Sequence, residues 1–214
     1  MTFEEATREA ALVAQGAVRD VMGKYKSGRV KHEDDLTGVL VGALDSALSG
    51  MIGGLEWDSS ILTHRKGKGG EEGKYGADLL IHVKFDTPSQ KYSKGVLIQA
   101  KRIEADEKMS RSEHTDLTEQ CRKMLAVTPA AFIFDYAHRG MRCGPATRIA
   151  GTTRRDLYSI CGWTSYRFFL ELFRCPIGDQ RITSASVDEL RVPIGLEVTA
   201  SGDLSEEVPS RSLR

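Results

Sequence analysis

The chain has no long hydrophobic run, no excess of charge of either sign and no clustered cysteines. No stretch reaches the roughly 20 consecutive apolar residues that a transmembrane helix needs, so no membrane span is expected. Lysine and arginine number 30, as do aspartate and glutamate. No global field therefore draws the chain to nucleic acid or a membrane surface, and any affinity for nucleic acid must come from local patches. Cys121, Cys143, Cys161 and Cys175 form no CxxC pair and have no histidine at zinc-ligand spacing. That argues against a structural zinc module and for reduced thiols. Residues 1–10 carry Glu4, Glu5 and Glu9, which do not suit the apolar core of a signal peptide. Together these features predict a cytoplasmic protein. There is no internal repeat, and 214 residues suffice for one domain with a core of its own.

What is present centres on residues 76–102. Two apolar, β-branched runs, Leu79-Leu80-Ile81-His82-Val83-Lys84-Phe85 and Val96-Leu97-Ile98-Gln99-Ala100-Lys101, flank the breaker Asp86-Thr87-Pro88-Ser89. They read as two strands joined by a turn. Side chains alternate along a strand, so Gln99 and Lys101 share one face while Ile98 and Ala100 take the other. Asp78 opens the first strand. A carboxylate, an amide oxygen and an ammonium on neighbouring strands can bind a hard metal ion and activate water. The bland alternative is that Asp78 is a turn residue after glycine and that Lys101-Arg102 is a solvated strand end.

Asp78 followed by Gln99-Ala100-Lys101 on the next strand resembles the active-site signature of the PD-(D/E)xK nuclease superfamily, and within it the Mrr-like branch with glutamine in the last half-motif. Ala77 stands where proline is usual, and Gln99 where an acid is usual. The resemblance spans residues 31–136. It implies an α/β restriction-endonuclease-like fold, a central mixed sheet flanked by helices on an α-β-β-β-α-β core. It also implies a metal-dependent endonuclease, with DNA favoured over RNA, of the kind used in restriction or anti-phage defence. Asp78, the Gln99 oxygen and the Ala100 carbonyl would hold Mg2+ or Mn2+, and Lys101 would orient the attacking water. A glutamate on the helix before the first strand would complete the metal site. Glu33 best matches that position, with Asp34 as substitute, although acids in a first helical turn also simply complement the helix dipole. Gln120, on the helix after the lysine strand, is an auxiliary candidate or a plain boundary residue. A homodimer for double-strand cutting is an expectation by analogy with the fold. An effector nuclease switched on by a partner protein or a small ligand, with the first helix or the tail as the regulated surface, is a further alternative. A non-catalytic binding or interaction module on the same fold is the competing expectation, because Gln99 removes a charge from the metal site.

Around this centre, Thr2 and Glu5 form a capping-box pattern that opens a helix to about Met22. With residues 1–30 it forms an N-terminal unit that packs on the core or serves as a dimer contact; residues 31–200 form the main domain. Leu36, Val39, Leu40, Ala43, Leu44 and Leu48 predict a second helix over 32–48, broken by the glycines of 50–54. A strand is expected over 57–64. The run 65–76 is glycine-rich, but Lys68 and Tyr75 break the phosphate-loop spacing. Arg65, Lys66, Lys68 and Lys74 then belong to a basic loop able to grip phosphates or to a merely solvated turn. Asp116 and Glu119 suggest the cap of a helix over 115–127, and 130–136 reads as a buried strand reached by a crossover with parallel pairing. Arg139, Arg142, Arg148, Arg154 and Arg155 fall in a stretch free of acids, either a phosphate-binding patch or arginines paired elsewhere. The aromatic cluster of 159–173 reads as core, 187–198 as a strand pair or extended segment, and 201–214 as a disordered tail.

Overall fold

The structure, a computed structural model, describes residues 1–63 and 75–204. Arg65, Lys66, Lys68 and Lys74, with most of the glycine-rich run, lie outside the described residues, as does the tail from 205 on.

Helix α1 (Phe3–Lys26) opens as its first residues require. Glu5 N–H donates to Thr2 Oγ1 at 3.2 Å and Thr2 N–H to Glu5 Oε2 at 2.8 Å, a cap of about 1 kcal/mol. The helix runs past Met22 to Lys26, because burial of Tyr25 offsets the roughly 1 kcal/mol cost of Gly23 inside it. Helix α2 (Glu33–Ala47) follows.

The glycines after α2 do more than end it. Strands β1 (Gly50–Ile52) and β2 (Leu55–Thr63) form a hairpin whose two turn residues, Gly53 and Gly54, have φ of 58° and 75°. Positive φ at both positions matches the right-handed twist of the strands, and glycine reaches it without strain.

Strands β3 (Leu79–Asp86) and β4 (Lys91–Lys101) form the antiparallel pair expected, with Leu79 opposite Ile98. Helix α3 (Arg111–Val127) begins four residues earlier than the sequence pattern suggested. Ser110 and Glu113 make the reciprocal cap, not Asp116 and Glu119, since both sets of spacing fit but only Ser110 stands where the chain turns out of extended backbone. Strand β5 (Ala131–Ala137) returns parallel to β4, followed by β6 (Gly140–Pro145), α4 (Ala146–Ala150), α5 (Leu157–Ile160), β7 (Trp163–Thr164) and α6 (Ser165–Phe173).

The end of the described chain departs most from expectation. Residues 187–198 are not a strand pair: a short helix α7 (Ser186–Glu189) leads into one strand, β8 (Ile194–Ser201). β8 enters the middle of the sheet, antiparallel to β2 and parallel to β3, giving the order β1-β2-β8-β3-β4-β5-β6-β7. Ser201 therefore belongs to the sheet, and Leu204 still packs on the core.

The result is an α/β architecture, a mixed eight-stranded sheet between two helical layers. Val96, Ile98, Ala100, Phe132, Phe134, Leu196 and Val198 face a core shared with α1, α2 and α6. Leu80, Leu97, Ala131 and Ile133 face a second core under α3, α4, α5 and α7. The aromatic cluster is core as expected: Phe168, Phe169 and Phe173 are fully buried, and Phe168 stands edge-on to Phe132 and Phe134. Cys121, Cys143 and Cys161 are buried free thiols and Cys175 an exposed one. No helix among the described residues is long and apolar enough to cross a membrane.

The β1–β2 turn lies against α1 so closely that a Cβ at Gly53 would stand 2.5 Å from Ala6 Cα. With the positive φ added, Gly53→Ala is expected to destabilise the fold by about 3 kcal/mol. Urea denaturation beside Gly16→Ala, where a Cβ meets nothing within 4 Å, checks this; equal midpoints would refute it.

Candidate functional site

One end of the sheet gathers the polar residues. Asp78 immediately precedes β3, and its N–H donates to Ile98 O at 2.9 Å, so the ladder carries it opposite the end of β4. The odd residues of β4 after Leu97 point toward α3, which brings Gln99 beside Asp78 and sends Lys101 onto the same face. The Ala100 N–H donates to Asp78 Oδ2 at 2.9 Å. Gln99 Nε2 donates to the same oxygen and, at 3.1 Å, to Ala100 O. The first turn of α2 overhangs this end of the sheet, where Lys101 Nζ meets Glu33 Oε1 at 3.4 Å.

Asp78, Gln99, Ala100, Lys101 and Glu33 are thus brought together, and Gln120 joins them from α3. Gly76, with φ of 72°, lets the chain touch α3: a Cβ there would lie 2.6 Å from Gln120 O. A cavity of about 540 Å³ lies over Asp78 and Gln99, walled by Thr37 of α2, Gln120 of α3 and Ile194 at the start of β8. A second, of about 400 Å³, lies over Lys101 and Glu33, with Arg102, Glu113 and Asp116 at its sides and Gln120 shared between the two. Asp34 lines the first cavity rather than the second.

The electrostatics follow from burial. Desolvation pushes the Asp78 carboxyl up to about 6; the Ala100 N–H and Lys101 oppose the rise, and Glu33 and Asp34 add to it. Gln99 Oε1 and Gln120 Oε1 are both buried without a hydrogen-bond partner. Among the described residues no three His, Cys, Asp or Glu side chains form a metal-binding group. A cation here would instead take mixed oxygens, and the orphaned amide oxygens fit that role. The Gln99 side-chain amide torsion is broad and nearly two-fold, so a half turn brings Oε1 to Asp78 Oδ2 and Ala100 O in place of Nε2. Three oxygens would then converge where now an N–H group satisfies two, a donor set suited to a hard divalent ion.

Sequence reasoning missed Asp135. It is fully buried on β5, in register with Lys101, and its Oδ1 accepts the Ile103 N–H at 3.1 Å. Its Oδ2 has no partner. Desolvation raises the carboxyl to about 7, with Glu104 and Glu33 adding to the rise. The signal was available: Asp135 is the single charge in the apolar run Ala130-Ala131-Phe132-Ile133-Phe134-Asp135-Tyr136-Ala137. Glu104, also unassigned from sequence, accepts Tyr25 OH at 2.6 Å and His138 N–H at 2.9 Å. Tyr25 stacks on the His138 ring at 4.4 Å, which ties the end of α1 to the segment leaving the site.

The arginine patch does not converge on the site. Arg142 lies over the Tyr158 ring, Arg148 donates to Ile160 O at 3.2 Å, and Arg154 pairs with Asp156. Arg155 donates to Met109 O at 3.0 Å and so touches the rim of the second cavity indirectly. Arg139 is exposed on the β5–β6 turn. None of the five lines either cavity.

Compared with known proteins, the chain matches no protein-family model, no curated protein and no solved structure.

A carboxyl raised by burial weakens the fold as it ionises. The folded state holds the Asp135 proton up to about pH 7, whereas an unfolded aspartate loses it near 4, so stability falls as pH rises through that window. Asp135→Asn keeps the shape without the charge. Its stability advantage over the parent should be small at pH 4 and grow to as much as about 4 kcal/mol by pH 8, read from thermal or urea unfolding across pH. A constant difference would be contrary to this account.

Proposed function

We propose that the chain is a divalent-metal-dependent nuclease of the PD-(D/E)xK type, with Gln-x-Lys as its last half-motif and DNA as the favoured substrate. The observation that carries the reading is the convergence of Asp78 Oδ2, Ala100 O and the Gln99 side-chain amide, whose Oε1 has no partner, beside the cavity over Asp78 and Gln99, with Lys101 next along the strand. The succession of helix, β1–β2 hairpin, Asp strand, Gln-x-Lys strand, helix and strand fits the same reading, with β1 as an additional strand. The insertion of β8 between β2 and β3 is a feature of this chain beyond that core.

In this reading Asp78, Gln99 and the Ala100 carbonyl would hold Mg2+ or Mn2+, with Glu33 completing the set. The ion would supply Lewis acidity and a more acidic bound water. The chain's own groups do the rest. Asp78 contributes the fixed negative charge, made available by the Ala100 N–H that holds its carboxylate in place. Lys101 orients the attacking water and directs positive charge at the phosphate oxygens. Gln120, at the junction of the two cavities, fixes a water or a phosphate oxygen. Because Gln99 adds no charge, one firmly held ion is favoured over two.

A second reading, a non-catalytic binding module, draws on the neutral Gln99 and on the absence of the arginine patch from the cavity walls. Incubation with plasmid, linear and single-stranded DNA and with RNA, in Mg2+, Mn2+ or EDTA, separates the two. The nuclease reading expects metal-dependent cleavage, reduced by about 10²–10³ in Lys101→Ala and lost with metal binding in Asp78→Ala. No cleavage and no metal binding would overturn it. The Asp78 proton competes with the cation below about pH 6, so Mn2+ affinity measured by calorimetry should be flat above that pH and fall about tenfold per unit beneath it.

A further inference from the structure

Glu33 serves two centres. It is bonded to Lys101 Nζ at 3.4 Å, and its charge acts on both Asp78 and Asp135. When Glu33 turns toward a cation at Asp78, Lys101 loses that partner, and its side chain is only 24% exposed. Glu113 and Asp116 stand at the same cavity, but the bonded partner is Glu33, and a half-buried ammonium without a bonded counter-charge is costly.

Asp135 is built to receive it. Lys101 and Asp135 are register partners on parallel strands, where neighbours lie about 4.8 Å apart, within easy reach of a lysine side chain. Alternation puts both on one face, since Leu97 and Ile133 belong to the core under α3 while Ala100 and Phe134 belong to the opposite core. The Ile103 N–H holds one Asp135 oxygen in place, and the other is buried with no partner. An unsatisfied buried carboxyl oxygen is rare in native proteins and calls for an explanation, which a lysine within reach on the neighbouring strand supplies.

We infer that Asp135 is a positioning residue for Lys101, a second seat that takes the ammonium when Glu33 leaves it. The exchange frees Glu33 for the cation and keeps Lys101 on the strand end where the reaction needs it. Its consequence for catalysis rests on the nuclease reading; the exchange itself is a property of this chain's side chains.

A double-mutant cycle tests it without reference to activity. Asp135→Asn, Lys101→Met and the pair are made in the parent and in a Glu33→Gln background, and unfolding constants are measured in urea. With Glu33 neutral, Lys101 should sit on Asp135, and the two substitutions should depart from multiplicativity by tenfold or more. In the parent the departure should stay within about threefold. Multiplicative effects in the Glu33→Gln background overturn the inference. Asp135→Ser replaces the Asn variant if that does not fold. On a cleaved substrate, Asp135→Asn should lower kcat at least tenfold, with KM and calorimetric Mg2+ affinity within twofold of the parent. An unchanged kcat, or an equal loss of Mg2+ affinity, also overturns it. If the parent cleaves nothing, the nuclease reading fails while the cycle still decides the exchange.

Discussion

The Ala100 N–H held by Asp78 is the contact on which the site depends. It joins the residue before β3 to the last turn of the β3–β4 ladder, and so fixes which side chains can meet. A slip of one residue in that register would turn Gln99 and Lys101 into the opposite core and bring Ile98 and Ala100 to the cavity. The slip is opposed from both sides, because each face of β4 is buried under its own helical layer. Site and core are therefore specified by the same pairing.

The layers also explain how distant segments reach one end of the sheet. α2 brings Thr37 over the first cavity and Glu33 over the second, α3 brings Gln120 to both, and Pro193 with Ile194 at the start of β8 closes the first. The N-terminal helix is part of this arrangement: its apolar side lies in the same core as β3 and β4, and Tyr25 reaches Glu104 just beyond Lys101. Buried carboxyls at the site are held near neutrality by desolvation, Asp78 at about 6 and Asp135 at about 7. A positive charge brought against such a carboxyl favours its ionised form and displaces its proton.

Much of this was legible in the chain. The alternation of 96–101 separates Gln99 and Lys101 from Ile98 and Ala100, and the breaker at 86–89 makes the hairpin, because both are local properties of a strand and a turn. The Thr2–Glu5 cap and the helix expected over 32–48 and found at Glu33–Ala47 are local in the same way. Asp135 was hidden inside a correctly read buried strand, since an apolar pattern reports burial but not what a single polar exception faces. The glycines at 53 and 54 were read as an ending, though two adjacent glycines between extended segments also make a turn.

Sequence by itself determined the β3–β4 hairpin, helices α1 and α2, the Thr2–Glu5 cap and the face on which each residue of β4 lies, because neighbouring side chains and backbone preferences decide these within a few residues. Only the tertiary structure decided that β8 passes between β2 and β3, that Asp135 stands beside Lys101, and that the arginines after β5 turn to Tyr158, Ile160, Asp156 and Met109 rather than to the cavities. Apart from the local Arg154–Asp156 pair, those outcomes join residues a dozen or more positions apart. They are set by which apolar faces can be buried together and by which buried polar groups find partners, and neither is written in the spacing of any one segment.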